Sequence, residues 1–599
     1  MFGMVPKSVR FASCAGRMVG RTRVRFLVVS DWPVATCWEP FIHMSAADRV
    51  TPADIPDYSP PRFTVEERQL LEPYFSNLDL PVFVVRNLPQ EIAGALFARY
   101  SRTSKSLRRL FLDEFVTEGL APAAPSDGVA DVEAARSLYD RIFLGFGDDS
   151  VAQLGGAHVA IEGASNILTK VIEWGRLAAY LEQSTRYIRY DDRVPTPSGP
   201  KFRYHTPAEL ADHPSLSADF TETMDHLFET YGELLDPLLG YFSRFPHPDG
   251  VPDGAWRGLV RSRACDTIRG LLPAATRSNL GVFATGQALE SLLLRLQASP
   301  LEEARLYGRM ILAELRTEIP AFMSRVDRPD RGLEHSEYLA SIRDGVAEVV
   351  AGLVEAHPPA PLTGPLPRPT QLGDTVVLCA WDPEGELAIT QALLFEGGVP
   401  FAQAHRLASQ MSDEELDRLW AAAVGERRNR RHRPSRAFEE TFYTFEIVSD
   451  YGAYRDLQRH RMMTVRAEIL TPAHGYHVPE LLADLGLDGR YRQAMDRAAD
   501  LHEKLVAAGV SPHVAAYAVP FGYRLRYQFT LNARQAFHLL ELRTQPSGHP
   551  SYRLICQEMF RQIRDVARHR RVAAAMSHVD LSAADEGRLQ ETLRHAKAS

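Results

Sequence analysis

Three things are scarce in this chain of 599 residues. Cysteine is the first: Cys14, Cys37, Cys265, Cys379 and Cys556 are scattered, with no CxxC pair and no Cys/His spacing of the kind a zinc site uses. That excludes a disulfide framework and a zinc module, and it places the chain in a reducing, cytoplasmic setting with free thiols. Long apolar runs are also missing, since no stretch of about 18 or more apolar residues occurs, which argues against a transmembrane helix. Nor is base in excess. The net charge is -8, whereas a protein that coats nucleic acid draws its affinity from surplus Lys and Arg.

What is present is ordinary globular composition, 45% hydrophobic and 24% charged, in a chain too long for one core. The clearest break is His357-Pro358-Pro359-Ala360-Pro361, continuing through Pro365 and Pro367 to Pro369. So many prolines remove donors and fix φ, which makes a spacer. The expected organisation is a first unit over 44–355, a proline-rich linker over 356–372 and a second unit over 373–599. Residues 1–43 carry Arg10, Arg17, Arg21, Arg23 and Arg25 with little acid, and Met44 opens an ordinary start. They read as a disordered tail or translated leader rather than a transit peptide.

Helical periodicity covers 161–190, with Ile167, Leu168, Val171, Ile172, Leu177, Tyr180 and Leu181 on one face, and recurs at 289–296 and 536–542. Residues 82–85 and 375–379 read as strands near the start of each half. The halves also resemble each other. Pro273 and Pro520, 247 residues apart, each precede an arginine by four positions, and the same offset sets Leu292-Leu293 on Leu539-Leu540 and Thr285-Gly286-Gln287 on Asn532-Ala533-Arg534. An α+β duplication follows.

Two distant segments carry the densest chemistry. Glu182-Gln183-Ser184-Thr185-Arg186-Tyr187 offers a carboxylate, an amide, two hydroxyls and a guanidinium, where a plain helix-surface Glu182–Arg186 pair is the bland reading. Arg455-Asp456-Leu457-Gln458-Arg459-His460-Arg461 follows a run, 442–454, read as helical. Arginine forks bind phosphate oxygens bidentately at any working pH, although cations at a helix end also complement its dipole. Asn532-Ala533-Arg534 leads into a helix ending at Arg543, where an amide can read a ring edge and a guanidinium can favour negative charge on it, against capping and surface roles. Arg427-Arg428-Asn429-Arg430-Arg431-His432-Arg433 is a solvated loop, a part of a phosphate environment or a nucleic-acid contact.

Arg459-His460-Arg461-Met462-Met463-Thr464 and Glu182-Gln183-Ser184-Thr185-Arg186-Tyr187 resemble the two parts of the signature of flavin-dependent thymidylate synthases, RHRxxS followed by a NExSxRY-like segment. Here the parts are divided between the repeats. The first repeat has Trp174, Gly175 and Arg176 at the RHR positions, and the second has an unmatched stretch, 466–472, at the ExSxR positions. Asn532-Ala533-Arg534 and Arg543 resemble the family's NAR triplet and late arginine, opposite Thr285-Gly286-Gln287 and Leu296; Arg269 resembles a phosphate-holding arginine, opposite Ala516. Ala98-Arg99-Tyr100-Ser101, Gly147-Asp148-Asp149-Ser150 and Glu439 are shorter matches. Asp148 for histidine, His538 for asparagine and Thr464 for serine are departures.

The resemblance implies two tandem repeats of that fold, helices packed on a small mixed or antiparallel sheet, forming a pseudo-dimer with one complete site across the repeat interface. It implies methylation of dUMP with FAD, NADPH and methylenetetrahydrofolate. Arg459, His460, Arg461, Asn532, Ala533, Arg534, His538, Ser101 and Glu439 would serve FAD, and Glu182, Gln183, Ser184, Thr185, Arg186, Arg269, Gln458 and Arg459 the nucleotide. Arg543 would polarise the pyrimidine, and no metal is implied. The assembly implied is a homodimer of tandem chains resembling a tetramer, with no membrane or nucleic-acid partner. A related pyrimidine-nucleotide methylase or hydroxymethylase, and a non-catalytic nucleotide, flavin or nucleic-acid binder, are the alternatives.

Overall fold

The computed structural model describes residues 60–81, 83–88, 90–100, 105–116, 153–196, 199–247, 251–357, 368–369 and 373–583. The readings for residues 1–43, Ser101, 147–150 and most of the proline-rich spacer lie outside them. Residues 60–62, 79–81 and 83 belong to a small unit that shows no helix or strand there, and the rest form one larger compact unit, to which everything below refers. No described helix is long and apolar enough to cross a membrane.

Ten strands occur among the described residues: β1 (Gly156–Ser165), β2 (Ala178–Glu182), β3 (Arg193–Val194), β4 (Lys201–Phe202), β5 (Arg277–Thr285), β6 (Arg368–Pro369), β7 (Thr375–Trp381), β8 (Phe442–Asp450), β9 (Thr464–Ala467) and β10 (Arg524–Asn532). They form antiparallel sheets ordered β1-β5-β2, β6-β7-β8-β10-β9 and β3-β4. Alternation sets the faces: Leu525, Tyr527, Phe529 and Leu531 of β10 are buried, as are Leu280, Val282 and Ala284 of β5, while their neighbours are more exposed.

The duplication is visible in register. Ser165 of β1 faces Arg277 of β5, and Asp450 of β8 faces Arg524 of β10, with 277 and 524 again 247 apart. Each first strand runs into a helix capped by its own last residue: the Ser165 hydroxyl accepts from the Leu168 N–H at 3.0 Å, and the Asp450 carboxylate from the Ala453 N–H at 2.8 Å. Likewise β5 runs into the helix Gly286–Gln297 and β10 into the helix Ala533–Arg543.

The repeats meet about a local two-fold. Pro273 and Pro520 pair with each other. Ala274 N–H donates to the Val519 carbonyl and Phe521 N–H to the Leu272 carbonyl, both at 2.9 Å; Ala275 N–H donates to Tyr517 and Gly522 N–H to Gly270. Every bond has its counterpart under exchange of the halves, the mark of an isologous contact. A single core spans both halves, and Leu271, Leu272, Ala274, Ala275, Tyr517, Val519 and Phe521 at the seam are at most 1% exposed. Burying a side chain such as Phe521 contributes roughly 1.5–3 kcal/mol, so neither half is expected to stand alone.

Three readings are corrected. Residues 161–190 are not one helix: β1 ends at Ser165, a helix covers Asn166–Ile172, and β2 follows. A short helix between two strands produced apolar spacings that a helical template also fits. The run 442–454 is β8 to Asp450 and helix only from Tyr451. Of the strand expected at 82–85, the described residues keep one bridge, Phe75 to Val85. The strand expected at 375–379 is present as β7.

Candidate functional site

β2 delivers Glu182 to the seam, and the chain then turns. Gln183 N–H donates to the Asn279 carbonyl at 2.8 Å and its own carbonyl accepts from the Ser278 hydroxyl at 3.4 Å, while the Ser184 hydroxyl accepts from the Arg186 N–H at 3.2 Å. Thr185 is buried beside them. Glu182 receives Arg455 Nη2 from the other repeat at 2.8 Å and Lys170 Nζ at 3.1 Å. Burial alone would raise its pKa, yet the charges of Arg455, Lys170 and Arg459 hold it down at about 2.

Arg186 crosses the seam. Its Nε and Nη2 fork onto Asp266 at 2.9 and 3.1 Å, while Nη1 donates to Tyr552 Oη at 3.2 Å and Nη2 to the Ser547 carbonyl at 3.3 Å. Arg269, at the end of the helix Asp253–Ile268, donates through Nη1 to Asp456 at 3.2 Å, and its Nη2 is buried with no partner. Arg459, capping the helix Tyr451–Gln458, bonds the other oxygen of Asp456. Burial would raise the Asp456 pKa, but Arg459, Arg269, Arg543 and Arg186 together hold it well below the usual carboxylate range. One guanidinium from each repeat thus bonds this carboxylate, and two more lie near enough to act on it.

Arg543, in the last turn of the helix Ala533–Arg543, donates from Nε to His460 Nε2 at 2.8 Å, and its guanidinium lies 5.4 Å from the centre of the Tyr552 ring. Burial, then Arg543, His538 and Arg459, drives the His460 pKa well down, so its ring is neutral. Since Nε2 accepts, the proton sits on Nδ1, a buried donor that has no acceptor among the described residues. Gln458 is in a similar state: its Nε2 donates to the Lys170 carbonyl at 3.1 Å and its Oε1 is buried without a partner. Both residues line a cavity of about 110 Å³ with Glu173, Trp174, Arg176, Arg461, Met463, Thr464 and Val465. Arg461 and Arg176 both reach across the two-fold: Arg461 Nη1 donates to the Arg176 carbonyl at 3.2 Å, and Arg176 Nη2 to the Met463 carbonyl at 3.3 Å.

Asn532 caps its helix, its side-chain oxygen accepting from the Gln535 N–H at 2.8 Å, and Ala533 is buried behind it. Arg534 is held by the Pro434 carbonyl at 3.0 Å and by Glu439 at 3.1 Å. The His538 ring lies 5.1 Å from that of His460, and burial followed by Arg433, Arg430 and Arg543 lowers its pKa to about 4.

Sequence reasoning missed the partners. Asp266 and Asp456 are the counter-ions, Lys170 and Arg455 hold Glu182, and Tyr552 touches both Arg186 and Arg543. His549, whose Nε2 lies 3.4 Å from the Asp266 carbonyl, is kept neutral by burial and by Arg269 and Arg186. Asp456 carried a usable signal, an acid three residues before Arg459 on a helix end; the others are set by tertiary contact. No group of three or more His, Cys, Asp or Glu residues suited to a metal ion occurs among the described residues.

The thymidylate synthase complementing protein family model matches residues 91–321 and 400–567. A UPF0159 protein of Chlamydia muridarum is 35% identical over 539 residues, 89% of this chain and 98% of that protein. A UPF0159 protein of Thermoplasma acidophilum is 30% identical over 531 residues, 84% of this chain and 98% of that protein. Among solved structures, a UMP/dUMP methylase PolB from Streptomyces cacaoi, bound with 5-Br dUMP, is 21% identical, covering 34% of this chain and 95% of its own, at a TM-score of 0.28. With two matched segments and a three-stranded unit, β1-β5-β2, that recurs as β8-β10-β9, the chain belongs to the thymidylate synthase complementing protein family as a tandem of two repeats.

Proposed function

We propose that the chain methylates dUMP to dTMP, using FAD, NADPH and methylenetetrahydrofolate, at one composite site across its two repeats. The observation that carries the reading is a charge imbalance. Among the described residues Arg186, Arg269, Arg459 and Arg543 make ion pairs only with Asp266 and Asp456, and of these six side chains Arg186, Arg269, Asp266 and Asp456 are at most 13% exposed. The buried four balance, which leaves the charges of Arg459, 38% exposed, and the half-buried Arg543 in excess at the mouth of the cluster, where an anionic ligand compensates them. A phosphate monoester dianion does so, and arginine forks suit its oxygens.

On this reading Arg186 and Arg269 take the phosphate with the Ser184 hydroxyl, and Gln183, Thr185 and Gln458 surround the sugar and base. Glu182 positions Arg455 and Lys170 beneath them. The residues around His460 fit the edge of a heteroaromatic ring, because the buried Nδ1–H lacks an acceptor and Gln458 Oε1 lacks a donor. The cavity is smaller than the roughly 300–1,000 Å³ of ligand pockets, so within one chain it takes only that edge. Arg459, His460, Arg461, Arg534, His538 and Glu439 would hold the flavin; when bound and reduced, it supplies the hydride chemistry. Arg543, bonded to a neutral imidazole and to no carboxylate among the described residues, keeps its charge available for the pyrimidine's developing negative charge.

Tritium release from dUMP labelled at C5 tests the reaction. Release is expected only when NADPH and methylenetetrahydrofolate are both supplied to protein carrying flavin absorbance. Flavin-free protein, or no release with both present, refutes it.

A further inference from the structure

Around the site many arginines have a carboxylate: Arg186 has Asp266, Arg269 and Arg459 have Asp456, Arg455 has Glu182, Arg534 has Glu439 and Arg427 has Glu541. Arg543, Arg461 and Arg176 bond an imidazole or a carbonyl instead, and three neighbours have neither among the described residues. Arg430, Arg431 and Arg433 have no acidic group within 4 Å among the described residues, and Arg431 and Arg433 face solvent.

Their loop is nonetheless built. Arg427, with its side chain 3% exposed, anchors it by forking onto both oxygens of Glu541 at 2.6 Å and donating to the carbonyls of His432 and Ala575. Asn429 accepts from the Arg431 N–H at 2.9 Å and its side chain meets His432, while His578 Nε2 lies 3.1 Å from the Arg427 carbonyl. One arginine is spent internally so that the loop presents the others. The loop also borders the site: it leads into Pro434, whose carbonyl holds Arg534, and Arg430 and Arg433 lie close enough to His538 for their charge to act on its ring, itself 5.1 Å from His460. A solvated surface loop needs no such scaffold, and like charges packed together cost stability unless an anion joins them.

We infer that Arg430, Arg431 and Arg433 form an anion subsite at the rim of the composite site, and that it receives the multiply charged tail of an exchangeable co-substrate. The naming of the ligand rests on the reading of the reaction above. Exposure of Arg431 and Arg433 favours a tail that comes and goes over a resident group. Guanidinium forks take phosphates and carboxylates alike, so the tail belongs either to a phosphorylated nicotinamide dinucleotide or to an oligoglutamyl folate.

The test uses adenosine 2′,5′-bisphosphate and pentaglutamate as probes, titrated by calorimetry into the whole protein and into the Arg430→Gln/Arg431→Gln/Arg433→Gln variant, in which Arg427 is untouched. One probe is expected to bind the wild-type protein, more weakly as salt rises, and about tenfold more weakly to the variant, the sum of three exposed charge contacts. Binding of the bisphosphate assigns the subsite to the reductant, and binding of pentaglutamate assigns it to the folate. No binding of either probe, or equal binding to both proteins, overturns the inference. So does a short DNA duplex that binds in their place and is lost in the variant, which makes the loop a nucleic-acid contact. Probe binding lost in the variant, from a wild-type protein that releases no tritium, keeps the subsite and refutes the reaction.

Discussion

The local two-fold carries the charged cluster onto a second place in the chain, and that place has lost the carboxylate and most of the cations. Where one side has Asp456, Arg459, His460, Arg543 and Arg269, the other has Val171, Trp174, Gly175, Leu296 and Ala516. Leu296 and Ala516 are buried, and a Cβ on Gly175 would stand 2.7 Å from Tyr180 Oη and 3.2 Å from Arg295 Nη2, so the space of the imidazole is filled, with one half-buried guanidinium kept there and bonded to the Ser291 carbonyl. Even the caps have exchanged chemistry. Asp450 bonds the Ser551 hydroxyl, while Ser165 bonds the Glu303 carboxylate, which also takes Tyr517 Oη at 2.7 Å. Cations and their counter-ion differ together. A single arginine left behind, without ligand or carboxylate, would be an uncompensated buried charge costing several kcal/mol, so a place without a polar occupant is most stable when refilled with apolar side chains.

The comparison breaks most sharply at Arg543. Its replacement by alanine should lower dUMP turnover about 10²- to 10³-fold, the scale for losing one preorganised charge in an active site, with the melting temperature nearly unchanged; equal turnover would remove Arg543 from the reaction. The converse change is Leu296→Arg, which restores a charge on the apolar side. It should create no second site and should cost about 3 kcal/mol of stability, because the guanidinium is buried without Asp456. A second equivalent of bound nucleotide in that variant would show that the apolar side is still a site.

Acid separates the sides as well. Glu182 is held at about 2 against an ordinary 4.5, so its contribution is present above 4.5 and lost as pH falls from 4.5 toward 2. The full shift corresponds to about 3 kcal/mol. Across the two-fold stands Ala467, since Glu182 faces Leu280 and Ala467 faces Tyr527. Acid denaturation curves should therefore flatten between pH 4.5 and 2 in Glu182→Gln and stay as they are in Ala467→Ser.

What could be read beforehand followed from locality. The 247-residue offset, the helices 289–296 and 536–542 and the strand from Thr375 depend on short-range spacing and punctuation, and all are present. The segments around Arg186 and Arg459 could be paired because arginine density is itself a local signal. Asp266 could not be picked out, because one aspartate on a helix resembles any other until the fold sets it 2.9 Å from Arg186. The helix over 161–190 failed for a related reason: a strand, a turn of helix and a second strand packed on one core show the same apolar spacing as a single helix face.

Asp456 gives the smallest and finest test. It bonds Arg269 and Arg459, the arginines that a phosphate would also contact, so ligand and carboxylate share two cations. In Asp456→Asn the shape and one acceptor remain, and the buried part of the cluster gains one uncompensated positive charge. Without ligand, Arg269 and Arg459 lose their counter-ion, and the melting temperature should fall. With ligand, the phosphate no longer stands beside a carboxylate, and a unit charge a few ångströms away is worth a few kcal/mol at an effective dielectric of about 20, most of it offset by rehydration of the exposed part of Arg459. The net expectation is about tenfold tighter dUMP binding, roughly 1.4 kcal/mol, together with a larger thermal shift on adding dUMP than the wild-type protein shows. Weaker binding would mean that Asp456 holds the arginines in place for the phosphate, and that the contrast between the two sides lies in geometry more than in charge.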